Sequence, residues 1–158
     1  MDWASWQPRE DATLLFVIRD GQVLLIHKKR GIGAGKINGA GGRVHAGESP
    51  RQAAVREVEE ELLVTPRDVT PHGEVWFHVT DGTAIRIHVF SATGLDGEPQ
   101  ETDEAAPLWV PVDAVPYEQM WEDDRHWLPH VLAGRRVLAK AVFEGDRMLS
   151  CQVEVRSG

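Results

Sequence analysis

Acidic side chains at helical spacing stand in the stretch from Gly42 to Val64, GRVHAGESPRQAAVREVEEELLV. At about 100° per residue, three of its glutamates project from one side of a helix: Glu57, Glu60 and Glu61. Carboxylate oxygens are hard ligands that suit Mg²⁺ or Mn²⁺, and bound Mg²⁺ usually also contacts the oxygens of a substrate phosphate. The spacing therefore indicates a divalent metal site acting on a phosphate-bearing substrate. The structural alternative is a solvated acidic helix face, since the chain has 25 acidic residues.

Local signals in the sequence define where this helix begins and which side it buries. Ser49 can cap the first free amides, and Pro50 fits the first helical position, where no amide is needed. An apolar stripe of Val55, Val58 and Leu62 is expected to pack against the core. On the other side the glutamates repel one another, so we expect a bound cation to neutralise them.

The whole stretch resembles the Nudix box, Gly-x5-Glu-x7-Arg-Glu-U-x-Glu-Glu-x-Gly-U with U aliphatic. The matching positions are Gly42, Glu48, Arg56, Glu57, Val58, Glu60, Glu61 and Val64. Agreement at so many specified positions makes this a strong motif. Leu63 departs from it, because the family has glycine there to end the helix in a left-handed conformation that costs leucine about 1 to 2 kcal/mol. No carboxylate is altered, so we expect the departure to affect stability or loop shape rather than chemistry.

Length and composition favour one soluble globular domain over residues 1–158, with a core from about 12 to 155. The hydrophobic content is 42% and the charged content 27%, as in ordinary globular proteins. The lone Cys151 excludes an internal disulfide and is expected to be a packed strand residue. The first ten residues lack a basic region followed by an apolar run, and no segment is long enough to span a bilayer. We therefore expect a cytoplasmic protein.

Three β-hairpins are predicted where aliphatic runs flank glycine-containing turns, at residues 12–19 with 22–28, 74–80 with 83–91, and 136–143 with 148–155. A short helix is predicted at residues 113–115. Another is predicted at about 124–133, although Pro129 should bend or break it. These elements indicate an α/β sandwich with a mixed, mostly antiparallel sheet. The resemblance runs from about Thr13 to Val155 and implies the α/β/α arrangement of the Nudix family.

Two further segments narrow the resemblance to Nudix enzymes of the MutT type that hydrolyse oxidised purine nucleoside triphosphates such as 8-oxo-dGTP and 2-hydroxy-dATP. They are KKRGIGAGKINGAGG at residues 28–42 and MWEDDRHWLP at residues 120–129. The resemblance implies that the substrate is bound by Thr13, Lys28, Asn38, Phe77, Trp121, Asp123, Asp124 and Trp127. It also implies a wider or reshaped base pocket, because smaller side chains replace aromatic residues or methionine at Ile32, Ala40, Val79 and Ala105.

Elementary chemistry supports the base-recognition segment independently. An indole offers a flat face on which a purine stacks, worth about 1 to 3 kcal/mol per base. The adjacent carboxyls of Asp123 and Asp124 cannot both ionise cheaply in a dry pocket, so one is expected to donate a hydrogen bond while the other accepts. The side-chain amide of Asn38 can both donate and accept a hydrogen bond.

Structural alternatives stand beside these roles. Asp123 and Asp124 could cap a helix, and Asn38 could simply be a turn residue. Lysines such as Lys28 often blunt a strand edge. The tryptophans, Thr13 and Phe77 could be core residues.

For the reaction itself, the resemblance implies a Mg²⁺ cofactor, with Mn²⁺ able to substitute. One to three ions are expected to be held by Glu57, Glu60, Glu61, Glu104 and the carbonyl of Gly41. Water then attacks phosphorus, giving a nucleoside monophosphate and pyrophosphate, while Arg56 orients the glutamates. The general base is either Glu104 or Glu61.

The formal net charge of −8 argues against broad adhesion to nucleic acid. We expect a monomer or weak dimer that acts on a small-molecule nucleotide, with no stable nucleic acid complex and no membrane. Two other functions stay open. One is a Nudix hydrolase of dinucleoside polyphosphates, nucleotide sugars or capped RNA. The other is a non-catalytic nucleotide-sensing domain, which the intact glutamates oppose.

Overall fold

The computed structural model describes residues 1–157. The strands are β1 (Glu10–Arg19), β2 (Gln22–Lys28), β3 (Ile37–Asn38), β4 (Thr65–Arg67), β5 (Thr70–Val79), β6 (Ala84–Ala92), β7 (Gly94–Asp96), β8 (Ala105–Pro111), β9 (Arg136–Glu144) and β10 (Arg147–Arg156). The helices are α1 (Pro50–Leu62), α2 (Asp124–Leu132) and a one-turn 3₁₀ helix, η1 (Tyr117–Gln119). Within the described residues, no helix is long and apolar enough to cross a bilayer.

The main sheet has eight strands, seven of them in the order β10-β9-β5-β6-β1-β2-β3, while β8 pairs with β2. Two of its pairings are parallel, β1 with β6 and β5 with β9, and the others are antiparallel. A second sheet consists only of β4 and β7. The prediction of a mixed, mostly antiparallel sheet is thus confirmed.

The three predicted hairpins are all present, as β1–β2, β5–β6 and β9–β10. At the first turn Asp20 and Gly21 both have positive φ, at 54° and 74°, as a type I′ turn requires. At the second turn only Gly82 has positive φ. The Asp-Gly signal therefore located both turns but fixed the type I′ conformation only in the first.

Side chains from the two faces of the sheet pack against different helices. Leu15 belongs to a core cluster with Val58 and Leu62 of α1, whereas its neighbour Phe16 packs with Trp127 of α2. Successive residues of a strand point to opposite faces, so the two helices must cover opposite sides of β1. This is the α/β/α arrangement expected from the sequence.

Helix α1 begins as predicted, because the Ser49 hydroxyl accepts from the Gln52 amide and the Gln52 side chain accepts from the Ser49 amide. The predicted apolar stripe is wrong at Val55, which is only partly buried. Ala53 and Ala54 are buried in its place. The buried face is therefore rotated toward the glutamates, and Glu61, expected on the open side, is only 3% exposed.

Leu63 ends α1 in the left-handed conformation, with φ 59° and ψ 34°, so the strain expected from a leucine at the glycine position is present. Its side chain is 55% exposed and gains little from burial. We expect Leu63→Gly to raise the free energy of unfolding by about 1 kcal/mol, because removing Cβ relieves this strain. Urea denaturation measures the change, and Leu63→Ala, which keeps Cβ, is the control. A glycine variant no more stable than the alanine variant contradicts the account.

The prediction for residues 113–115 is wrong, since the only helical turn nearby is η1, at Tyr117–Gln119. Val115 precedes Pro116, and a residue before proline is disfavoured in the helical region. Helix α2 matches its prediction and is not broken by Pro129, whose carbonyl accepts from the amide of Ala133 at 3.1 Å.

A tryptophan cluster covers part of the sheet face that carries α1. The indole of Trp6 stacks on Trp76 of β5 with centroids 5.1 Å apart, and Trp3 contacts both rings. Lys140 of β9 lies over the Trp76 ring at 4.9 Å, and Trp6 Nε1 donates to His78 Nδ1 at 3.2 Å. The first residues of the chain are thereby fixed to the sheet.

Candidate active site

A cavity of about 410 Å³ opens on the sheet face that carries α2. One end is formed by the glycine-rich loop near Gly41, together with Lys28 and Thr13. The other end is formed by residues at the start of α2 and by aromatic side chains of the sheet. The two ends differ in chemistry, so each is described separately.

Glycine is required at the first end for steric reasons. A Cβ on Gly41 would overlap the Thr13 carbonyl oxygen, far inside van der Waals contact. A Cβ on Gly42 would lie 2.5 Å from the Glu57 carboxyl carbon. Gly41 also donates its amide to Glu61 Oε1 at 3.0 Å. The two glycines thus let the loop backbone lie directly against the glutamates of α1.

Glu61 is the buried carboxylate of this group. Burial raises its pKa to about 8, and the negative charges of Glu57 and Glu104 act in the same direction. The Gly41 amide and Lys28 oppose this rise but do not cancel it. A cation bound next to such a carboxyl would favour its ionised form.

Arg56 holds the neighbouring glutamates. Its guanidinium donates to both oxygens of Glu48 at 2.7 and 3.0 Å, to Glu57 at 2.8 Å and to Glu60 at 3.3 Å. The arginine hydrogen bonds, with the His45 amide, lower the Glu48 pKa to about 2. The Glu48–Arg56 pair therefore stays charged across the neutral range, and Arg56 contacts both Glu57 and Glu60.

The predicted metal ligands are only partly assembled. Among residues 1–157, no three acidic, histidine or cysteine side chains lie close enough together to hold one ion. Glu57 and Glu60 turn toward Arg56, Glu60 is 53% exposed in its side chain, and Glu104 is exposed. The donor chemistry nonetheless fits a hard divalent cation, because the mutual repulsion of Glu57, Glu61 and Glu104 is the property such an ion would relieve.

Lys28 lines the cavity near these glutamates. Burial lowers its pKa, while the charges of Glu61, Glu57 and Glu104 oppose that shift. Within the described part of the chain, no carboxylate lies within 4.0 Å of its ammonium. A half-buried lysine of this kind is poorly explained as strand-edge protection and is available to a phosphate.

Asp123 and Asp124 lie at the other end, 2% and 4% exposed. The capping alternative fails, because Asp123 has helical φ and ψ and makes no side-chain cap; its Oδ2 instead accepts from Trp127 Nε1 at 2.9 Å. Asp123 Oδ1 and Asp124 Oδ2 have no hydrogen-bond partner. Burial raises both pKa values, and Asp123 further raises that of Asp124. Two unsatisfied polar atoms in a cavity indicate a ligand that satisfies them.

The aromatic residues of this end fall into two groups. Trp127 is 1% exposed and is both a core residue and part of the cavity wall. Trp121 is only partly buried, with its ring edge-to-face against Phe77 and Phe143 at 5.1 Å. Of the two tryptophans, Trp121 is therefore the one available for stacking.

The structure also places Thr13 and Asn38 on the cavity wall. Thr13 is buried, and its hydroxyl lies 3.4 Å from the Gly42 carbonyl oxygen. Asn38 Oδ1 accepts from the Gly39 amide at 2.9 Å, a turn contact that leaves its NH₂ group for a ligand.

Of the four positions at which this chain has a smaller side chain than the family it resembles, only Ile32 lines the cavity. Ala40, Val79 and Ala105 are buried and do not line it. The expectation that all four shape the pocket directly is therefore wrong for three of them.

Comparison with known proteins agrees with this geometry. The model of the NUDIX domain matches residues 8–131 of the chain. The chain belongs to the Nudix family. An oxidized purine nucleoside triphosphate hydrolase of Danio rerio is 43% identical over 138 residues, covering 87% of this chain and 88% of the relative. The protein of the same name from Mus musculus is 35% identical over 140 residues, covering 87% and 90%.

The fold is also similar to that of a MutT protein from Bacillus halodurans. Its TM-score is 0.82 at 26% identity, covering 92% of this chain and 97% of that one. Nudix hydrolases generally need a divalent metal ion, which agrees with the donor set at the glycine-rich end.

Sequence reasoning missed several residues of this Nudix pocket. Ile85 and Ile87 of β6 line the cavity, and the strand alternation that put them on one face was a usable signal. Lys36 and Gly33 do not line the cavity but lie against Trp121 from the glycine-rich loop, and no pattern in the sequence distinguished them from their neighbours.

Proposed function

We propose that this chain is a Mg²⁺-dependent Nudix hydrolase of oxidised purine nucleoside triphosphates. Its substrates are compounds such as 8-oxo-dGTP and 2-hydroxy-dATP, which it converts to the monophosphate and pyrophosphate, removing them from the nucleotide pool. The observation that carries the proposal is the buried pair Asp123 and Asp124, each with one unpartnered oxygen, in a cavity walled by tryptophan. The names of the Danio rerio and Mus musculus relatives support it.

At the glycine-rich end, the groups that would hold the cation are Glu57, Glu60, Glu61, Glu104 and the carbonyl of Gly41. When bound, Mg²⁺, or Mn²⁺ in its place, neutralises the triphosphate and the charge that develops on it. Lys28 contacts a phosphate oxygen, and Arg56 keeps Glu57 and Glu60 in position. Either Glu61 or Glu104 accepts the proton of the attacking water.

At the other end, the purine stacks on Trp121. Phe77 and the buried Trp127 form neighbouring parts of the cavity wall. Asp123 and Asp124 share one proton, so that one carboxyl donates and the other accepts at the purine edge. Because either carboxyl can act as the donor and the other as the acceptor, the pair can bind a purine with an added carbonyl or one with an added hydroxyl. The NH₂ group of Asn38 and the side chain of Thr13 complete the contacts.

The proposal also includes the domain organisation, location, oligomeric state and partners of the protein. The chain forms one domain, acts in the cytoplasm as a monomer or weak dimer, and binds small nucleotides rather than nucleic acid or membrane. Its net charge of −8 supports the last point, because such a charge repels phosphate backbones.

We expect Asp124→Asn and Asp123→Asn to reduce kcat/KM for 8-oxo-dGTP about tenfold or more, with a smaller effect on dGTP, because asparagine cannot share a proton with its neighbour. A panel of ordinary, 8-oxo, 2-hydroxy and methylated purine triphosphates measures this. The matched control is Asp113→Asn, at an exposed aspartate that does not line the cavity. Unchanged relative rates across the panel would remove the base-reading role.

The same panel separates this function from other Nudix substrates. A chain that hydrolyses dinucleoside polyphosphates or nucleotide sugars faster than any purine triphosphate contradicts the proposal, even if its metal requirement is normal. A chain that releases no product from any substrate with Mg²⁺ fits the non-catalytic alternative.

A further inference from the structure

Lys36 links two parts of the base-recognition end. It closes the glycine-rich loop at residues 29–36, and its ammonium lies 5.1 Å from the centroid of the Trp121 ring. The same ammonium is 3.5 Å from Asp146 Oδ2, in the turn between β9 and β10. Its side chain is 27% exposed, compared with 75% for Asp146. A lysine in contact with an indole and a carboxylate at once restricts the loop that carries it.

The backbone of the loop also rests on Trp121. Gly33 has φ 82°, and a Cβ there would lie 2.7 Å from Trp121 Nε1. The amide of Lys36 donates to the Gly33 carbonyl at 2.9 Å, so the two contacts belong to one turn. The residue that follows Trp121, Glu122, accepts from the Met148 amide of β10 at 3.3 Å. The loop, the segment before α2 and the β9–β10 hairpin therefore meet around Trp121.

Few charges face the aspartate pair. Lys36 from the glycine-rich loop acts on Asp124, and His126 and Glu122 act on Asp123. Burial, with a smaller contribution from Asp124, raises the pKa of Tyr117 of η1 to about 12. Burial, with smaller contributions from Asp123 and Asp124, raises the pKa of Cys151 of β10 to about 11, so both groups are neutral at pH 7. Lys28 faces the glutamates at the opposite end instead. Lys28 thus lines the cavity at the glutamate end, whereas Lys36 lies outside the lining and contacts Trp121 at the other end.

We propose that Lys36, although it does not line the cavity itself, is a positioning residue that sets the specificity of this pocket through Trp121: its ammonium, held between Trp121 and Asp146, fixes the loop against the indole. This inference rests on the proposed function, since it names the group that tunes base recognition. Burial and Asp123 raise the Asp124 pKa, and the charge of Lys36 partly opposes this rise, which favours the state in which the pair shares one proton. Without Lys36, Asp124 retains its proton to higher pH, so this shared-proton state is less populated.

The test compares Lys36→Met, which keeps length but removes charge, with Lys36→Arg, which keeps the charge. Lys140→Met is the matched control, because Lys140 lies over Trp76 at 4.9 Å in a similar cation–π contact, but Trp76, unlike Trp121, does not line the cavity. We expect Lys36→Met to lower the ratio of kcat/KM for 8-oxo-dGTP over dGTP about tenfold, with the acid limb of that ratio moved to higher pH. Lys36→Arg and Lys140→Met should keep the wild-type ratio and pH profile.

A binding measurement separates this inference from the proposed function. Calorimetry with 8-oxo-dGMP and dGMP in metal-free buffer reads discrimination without hydrolysis, and Lys36→Met should reduce it by the same factor. If the wild type discriminates between these monophosphates but hydrolyses neither triphosphate, the proposed hydrolase function is overturned, while the role of Lys36 in base discrimination still stands. Equal losses for both bases, or an unchanged ratio, in Lys36→Met overturn the inference even if the wild type is fully active on 8-oxo-dGTP.

Discussion

Replacing Glu61 by glutamine is expected to lower kcat by about 10²- to 10⁴-fold while the fold is retained. Glutamine still offers an oxygen to the Gly41 amide, which Glu61 Oε1 accepts at 3.0 Å, so the local backbone loses no hydrogen bond. What disappears is the buried negative charge that would hold the cation or accept a proton. Circular dichroism and thermal unfolding of the metal-free variant check the fold, and pyrophosphate release checks the turnover.

Glu59→Gln is the matched control for this substitution. Glu59 lies two residues earlier on the same helix, is exposed, and accepts only from the Thr65 hydroxyl at 2.8 Å. Its replacement should leave kcat within about twofold of the wild type, as surface substitutions usually have small effects. Near-normal turnover in the Glu61 variant, or an equal loss in the Glu59 variant, would refute the assignment of the catalytic glutamates.

Gly41→Ala is expected to have the largest effect on the fold, with a loss of at least about 2 kcal/mol in the free energy of unfolding. The new methyl group would overlap the Thr13 carbonyl of β1, and backbone cannot move aside as a flexible side chain can. The loop is paired with β1 on either side, through Thr13 N to Gly42 O and Leu15 N to Ala40 O, both at 2.8 Å. Both hydrogen bonds must shift, so activity is expected to fall together with stability.

Gly94→Ala provides the comparison for urea denaturation. A Cβ there would meet only Arg67 Cβ at 3.5 Å, an ordinary contact, and its φ lies outside the left-handed region. This variant should be as stable as the wild type or slightly more so. If Gly41→Ala unfolds at the same urea concentration as Gly94→Ala, the steric account of the loop is wrong.

Local signals predicted the elements that are determined locally. Asp20-Gly21 and Asp81-Gly82 marked two turns, and Ser49 with Pro50 marked the start of α1. The edge strand β8 gave no such signal, because Pro107 and Pro111 interrupt its apolar pattern and prolines are tolerated only at edges and bulges. Strand β3, with two residues, is defined only by its pairing with β2.

The burial of Glu61 could not be read from the helix pattern. Helical periodicity places side chains on a circle but does not say where the buried arc ends. Small residues such as Ala53 and Ala54 bring the helix close to the sheet, which includes Glu61 in the buried arc and leaves Val55 at its border. Tertiary packing therefore decided which glutamate has the raised pKa.

The proposed base-recognition end of the cavity was predicted from a sequence motif, and the structure adds contacts that the motif does not contain. The resemblance named Trp121, Asp123 and Asp124, and the structure brings all three to one cavity. Lys36 contacts Trp121 because the glycine-rich loop folds back over an indole that is 85 positions later in the chain (121 − 36). A contact at that separation depends on the complete fold, so no local pattern could predict it.

The parallel rings of Trp6 and Trp76 have an optical consequence. Two indoles 5.1 Å apart at an interplanar angle of 17° couple their electronic transitions, whereas the catalytic cavity contains no such tryptophan pair among the residues that line it. The near-ultraviolet dichroism of the protein should therefore contain a signature of the first residues docked on the sheet. That signal offers a way to follow detachment of this segment separately from events at Trp121.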